Sequence, residues 1–400
     1  MRHRRPLSAA TLGVGLLAAM TVPALAGTPT WGPVAVISSD SASRQSLART
    51  ATDSAEYIHS VTSTLDGSLT HHLNGAWYRR TSSDGAAWAA VKRLNPEDHL
   101  VGGAGVATAG RYVFTTWVRP AVTGNARMLY IRRNTNHGDL DAWSTRIRLT
   151  PATARIDAPS IAASGASVFV AYTNTRTGRV RLQSSHDRGR TWTGRSVGRT
   201  SAPDEELGQA GHPIVVATGH TVAVFWVSNA NGSVRGRISI DVGAHWGSVT
   251  TLGNAGDGGI PSATARGGRI AVAASDGSTP GWYRVWTNGT WGPSTLIPPL
   301  DVDPEPPLGY GGTPTVALRG ETFLGVAYTV FYAGLDGHST LTWHESPDGG
   351  LSWLPDESVS VPTPIIFNRN ASIVWRADSL HIQWNENNEG DPSVRIRSRR

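Results

Sequence analysis

The chain reads as an all-β protein, a seven-bladed β-propeller of four-stranded antiparallel blades, with six blades as the alternative count. Three observations lead there. No stretch sustains a helical period, and short Val/Ile/Trp/Tyr runs alternate with Gly/Asn/Asp/Pro turns. A tryptophan that opens a strand recurs at Trp31, Trp88, Trp143, Trp192, Trp246, Trp291 and Trp353, at spacings of 45–62 residues. The two ends of the chain carry complementary half-repeats.

The N-terminus is expected to be a leader. Arg2, Arg4 and Arg5 precede an apolar run, Leu7 to Met20, and Ala24-Leu25-Ala26 has the small-residue pattern of a cleavage site. Residues 1–26 are read as a secretory signal peptide, which makes the protein secreted and extracellular, and residues 27–400 as a single domain. The apolar run is too short to span a membrane, and no later segment is long enough. There is no cysteine, so disulfides, cysteine-zinc sites and cysteine nucleophiles are excluded, and the core must stand without cross-links. The formal charge is +6, with 36 Lys and Arg against 30 Asp and Glu, and Lys92 is the only lysine. No charge run or aromatic-basic motif suggests nucleic acid, and a monomer is expected.

The repeat unit is read strand by strand. Fifteen-residue segments align without gaps at Gly103–Trp117, Ala158–Tyr172, His212–Trp226, Ile260–Ala274 and Asn370–Trp384, with Gly110, Gly165, Gly219, Gly267 and Ala377 at the eighth position. Each is an inner strand A, a tight turn and a strand B; Gly312–Tyr328 is a longer version and Gln45–His59 a loose one. Strand C precedes each Trp turn and strand D follows the Trp. The chain opens on a D strand, Trp31–Ile37, that nothing precedes, and closes on Asn370–Arg397, which has A, B and C but no D. One blade shared by both termini pairs edges that would otherwise be open.

The turns between C and D carry a motif. Ser185, Asp187, Gly189 and Trp192 spell Ser-x-Asp-x-Gly-x-x-Trp, and Ser239, Asp241, Gly243, Trp246 and Ser346, Asp348, Gly350, Trp353 repeat it. Asp and Ser side chains can bond nearby backbone N–H groups, Gly supplies positive φ, and Trp packs beneath. The motif resembles the Asp-box, or BNR repeat, of the sialidase-like β-propellers, and the resemblance spans residues 27–400 as architecture. It implies a glycan recognised or processed at the axial mouth and, for an enzyme, glycoside hydrolysis. Known sialidases have six blades and carry an Arg-Ile-Pro motif, which is missing here. They use a tyrosine nucleophile, a glutamate that activates it, an aspartate acid/base and three arginines. On that pattern the catalytic candidates are Arg49, Asp66, Glu205, Glu206 and Tyr310. A non-catalytic lectin-like or protein-binding propeller is the alternative.

Antiparallel blades put the C–D turns on one face and the D–A and B–C loops on the other. The D–A loops surround the axis, where propellers hold ligands. They carry eleven acidic residues, among them Asp98, Asp157, Glu205 and Glu206, against three arginines. Asp98, Asp157, Tyr310 and Tyr332 are therefore ligand-binding candidates, with the tyrosines placed to stack on sugar rings. Asp301, Asp303 and Glu305 offer oxygens at alternate positions, which suits Ca²⁺; no cofactor is otherwise required. The strand-C residues Arg237 and Arg284 are expected to face solvent.

Overall fold

A computed structural model describes residues 30–39, 44–65, 75–82, 87–95, 101–121, 125–199, 211–256, 259–276, 279–299, 307–332, 338–360, 363–364, 369–388 and 391–400. It holds seven antiparallel sheets and, among the described residues, no helix. The seven inner strands are Arg44–Thr52, Gly102–Ala109, Ile156–Ser164, Ile214–Thr218, Ser262–Arg266, Pro307–Arg319 and Arg369–Arg376. Each touches the next and the last touches the first, so the blades close into a ring. Outer strands are short, down to Lys92–Arg93 and Ile147–Arg148, and those of blades 5 and 6 are each split into two pieces. Inner strands flanked by neighbouring blades and mostly brief outer ones leave little open sheet edge.

Blade 7 is built from both ends of the chain. Its strands A to C are Arg369–Arg376, Ser379–Asn388 and Asp391–Arg399, and its outer strand is Ala35–Ser39, with Ala35 opposite Ile396 and Ser39 opposite Ser393. The sequence placed this strand at Trp31–Ile37. Trp31 instead makes a single bridge to Arg399, because Pro33 supplies no N–H and the ladder resumes only beyond it.

The apolar core is divided among the seven interfaces between neighbouring blades. Between blades 4 and 5, for example, Phe225, Val234 and Leu252 pack on Ile270, Val272, Trp282 and Trp286. Strand side chains alternate, so each inner blade buries one row against the blade before it and one against the blade after. Polar groups on the inner strands add a second tie. Ser160 Oγ accepts from Val215 N (3.1 Å), Thr315 Oγ1 donates to Ala371 O (3.1 Å), and Ser372 Oγ accepts from Thr50 N (3.0 Å).

The three Ser-x-Asp-x-Gly-x-x-Trp turns share one set of bonds. In blade 3, Ser185 Oγ donates to Asp187 Oδ1 (2.8 Å) and accepts from Gly189 N (2.8 Å), while Asp187 accepts from Thr191 N (2.9 Å). Ser239–Asp241–Gly243 and Ser346–Asp348–Gly350 repeat the pattern. These bonds favour the ionised carboxylate, and hold that of Asp348 down at about 2. The tryptophan Nε1 of Trp192 and of Trp246 caps the glycine carbonyl of its own turn. Positive φ is half of what the glycine provides. The other half is room for the preceding blade: a Cβ on Gly350 would meet Tyr283 Oη at 1.8 Å, and one on Gly189 would meet Phe114 at 3.3 Å. The turns thus lock blade to blade.

A further repeat lies in strand C. Arg79, Arg132, Arg237, Arg284 and Arg397 occupy equivalent positions in five blades. The Nε of each donates to the carbonyl just after the outer tryptophan: Ala89, Ser144, Gly247, Gly292 and Gly32. In four of them a terminal nitrogen also reaches back to the preceding blade, from Arg79 to Ile37 O, Arg132 to Leu94 O, Arg237 to Val197 O and Arg397 to Val359 O. The expectation that Arg237 and Arg284 simply face solvent is therefore corrected. Their donors are engaged by outer-strand carbonyls left without a neighbouring strand.

Two outcomes follow. Removal of the chain through Ser38 should abolish the cooperative thermal transition, since it takes away the outer strand of blade 7; a truncated protein that melts like the intact one would refute the shared blade. Arg237→Lys and Arg397→Lys should each lower stability by about 1 kcal/mol, because an ammonium cannot span two carbonyls as a planar fork does. The exposed Arg179→Lys, measured in the same denaturant titrations, should be neutral.

Candidate functional site

The inner strands enclose an axial channel of about 370 Å³. Its walls are mostly small residues such as Gly105, Ala107, Ala163, Ala217 and Ala265. Among the described residues two ionisable side chains line it, Arg49 of blade 1 and His212 at the entry to blade 4.

The position of Arg49 has a local cause. Strand pairing slips between Ser46 and Arg49, and the same irregularity recurs at Gly102/Gly105, Asp157/Ser160, Gly311/Thr315 and Arg369/Ser372. Each bulge re-aims the next side chain. After it stand the small residues Gly105, Ser160, Thr315 and Ser372 in four blades, and Arg49 in the first. The guanidinium is half-buried and has no hydrogen-bond or ion-pair partner among the described residues. Burial makes its proton easier to lose than that of a free guanidinium.

His212 stands where Gly103 and Ala158 stand in blades 2 and 3. All three have left-handed backbones, with φ of 38°, 57° and 48° respectively. A histidine there is strained, and such residues cluster at functional sites. Its imidazole also has no hydrogen-bond partner among the described residues. Burial lowers its proton affinity most; Asp157 works against that, and Arg49 with it. Arg49, His212 and Asp157 therefore share one electrostatic site at the axis. Asp157 is itself occupied, accepting from Ala158 N (2.9 Å) and pairing with Arg127 (3.5 Å).

Of the sequence candidates, Arg49 lines the channel, and Asp157 acts on the His212 imidazole at its wall. Tyr310 and Tyr332 lie on the blade 6 hairpin, opposite Val330 and Pro307, in a stretch that runs past the channel wall on the mouth side. Asp66, Asp98, Glu205, Glu206, Asp301, Asp303 and Glu305 lie outside the described residues. Among the described residues no group of three His, Asp or Glu could hold a metal ion. His212 was missed from sequence. The available signal was its place at the head of a repeat whose copies in blades 2 and 3 begin with the small residues Gly103 and Ala158.

No protein-family model and no curated protein matches this chain. Solved structures do. The Trypanosoma rangeli sialidase aligns with 89% of this chain at 12% identity and a TM-score of 0.51. The Hadza microbial sialidase Hz136 aligns with 71% at 13% identity and a TM-score of 0.50, and the NanB sialidase of Streptococcus pneumoniae with 74% at 11% and 0.50. The matches span 55%, 63% and 67% of those chains in the same order as the Trypanosoma, Hadza and Streptococcus proteins. The likeness is one of fold.

The electrostatic site has a direct readout. By NMR, the His212 imidazole should titrate below the ordinary histidine range. Its midpoint should rise in Arg49→Ala, which removes a repelling cation, and fall further in Asp157→Asn, which removes an attracting anion. Unchanged midpoints in both variants would separate the three residues.

Proposed function

We propose that the protein is a secreted Asp-box propeller that recognises glycans at its axial mouth, with Arg49 as the anchor for an acidic group on the sugar. The observation that carries this reading is the half-buried Arg49 guanidinium in the channel wall, without a protein partner among the described residues. A cation drawn out of water and left unpaired is costly unless an anion completes it, and a planar guanidinium suits a carboxylate in two-point contact. The fold supports a glycan over other acids, since the T. rangeli protein it resembles is a sialidase.

In this reading Asp66, Glu205, Glu206 and the strand residue Tyr310 would surround the sugar, and Asp98, Tyr310 and Tyr332 would contact it. Ca²⁺ held by Asp301, Asp303 and Glu305 would order the loop before blade 6. Recognition does not require turnover, and the missing Arg-Ile-Pro motif favours recognition alone.

A glycan array followed by calorimetry tests the proposal. Acid-bearing glycans should bind, and Arg49→Ala should weaken them by about tenfold or more while leaving the fold intact. Binding untouched by Arg49→Ala, or no binding across the array, would overturn it. Fluorogenic glycosides on the same samples show whether bound sugar is also cleaved.

A further inference from the structure

The opposite end of the axis holds a second cavity, of about 460 Å³, that the glycan reading does not use. It forms where the ring departs from its own symmetry. In blades 2 to 7, strands A and B are joined by tight turns around Gly110, Gly165, Gly219, Gly267, Gly320 and Ala377, all with φ between 45° and 60°. In blade 1 the join is longer and runs through Asp53, Ser54, Ala55, Glu56 and Tyr57.

That longer turn is held rigidly. The Asp53 carboxylate is buried and accepts from Ala55 N (2.9 Å), Tyr57 N (3.1 Å) and His137 Nδ1 (2.7 Å), with His59 Nε2 at 3.2 Å. Glu56 is fixed in a left-handed conformation, φ 64°. Its N–H donates to Asp53 O (3.1 Å) and its carbonyl accepts from Arg376 Nε (3.0 Å). A glutamate rarely adopts this backbone, and all but one of the other turns put glycine there. The Glu56 side chain has no hydrogen-bond or ion-pair partner among the described residues.

Arg266, at the end of the inner strand of blade 5, lines the same cavity and likewise has no hydrogen-bond or ion-pair partner among the described residues. Its neighbour Arg319 is engaged, paired with Asp378 and lying over the Trp375 ring at 4.8 Å. Arg266 is exposed, and partial burial and the nearby Arg319 weaken its hold on its proton. Asp53 lines the cavity too, with its carboxylate engaged; the Glu56 carboxylate and the Arg266 guanidinium share the cavity without pairing to each other. Hydroxyls of Thr52 and Ser54 and the Trp375 side chain complete the wall.

We propose that this cavity binds a small zwitterion of the α-amino acid class, with Glu56 taking the ammonium group and Arg266 the carboxylate. A single ion would satisfy one of the two groups and leave the other unpaired; a zwitterion satisfies both, and the volume suits a ligand of that size. The left-handed glutamate then has a reason to persist, because the strained residue supplies the charge.

Calorimetry on the full chain with glycine, alanine, leucine and phenylalanine tests this, with acetate and methylammonium as half-ligands. At least one amino acid should bind about tenfold or more tightly than either half-ligand, and Glu56→Gln and Arg266→Gln should each weaken it about tenfold. Glu56→Gly removes the carboxylate and the strain together, so it should melt above the wild type while losing the ligand. Arg49→Ala should leave this binding unchanged, which separates it from the glycan site. The proposal is overturned if no amino acid binds, if binding survives both single variants, if acetate alone binds as well as the amino acids, or if Glu56→Gly melts below the wild type.

Discussion

A ring of blades depends on the joint where its first strand meets its last. Here the blade that carries that joint meets blade 1 through the smallest apolar cluster of the seven among the described residues: Ile37, Val394 and Ile396, with Trp88 packed against them. Hydrophobic burial scales with area, so this interface gains least from it. What compensates is directional bonding. The Ala35–Ser39 ladder, the Ser372 contact to Thr50, the reach of Arg79 to Ile37 O and that of Arg376 to Glu56 O all cross or complete it.

The composition follows from the same geometry. Thirty-six basic residues with a single lysine suggest no partner by themselves. They make sense once five strand-C arginines are seen clasping outer-strand carbonyls. An outermost strand leaves backbone acceptors exposed along its edge, and a five-donor planar group on a long stem reaches several of them. Blades 3 and 6 carry Gln183 and His344 at that position. The sequence contains the recurrence, two residues before each turn, yet a charged residue on a strand read as solvent-facing looks like ordinary surface.

The blade count, the shared last blade and the turn positions were legible in the sequence, because each rests on a local rule: glycine for a left-handed turn, tryptophan beneath it, alternation along a strand. The axial site was less so. Arg49 could be named only by analogy, since the bulge before it changes the register without changing composition. Gln45–His59 aligned loosely with the other fifteen-residue segments for the same reason, and the long turn at Asp53–Tyr57 sits inside that misfit. Both departures of blade 1 from the repeat coincide with unpaired charge, one at each end of the axis. Where one copy among seven breaks the pattern, folding alone does not explain it.

The shared blade sets the unit of inheritance apart from the unit of structure. The sequence repeat runs D, A, B, C, whereas the sheet runs A, B, C, D, so the two are out of phase by one strand. A whole repeat gained or lost during duplication of the coding sequence would leave the shared blade untouched and change only the circumference. The described termini also lie side by side, with Thr30 N donating to Arg400 O at 3.3 Å. Joining them and cutting the chain between two other blades would give a circular permutant with every strand in place. The order in which the blades are encoded is therefore free to rotate, while the order in which they stand around the axis is not.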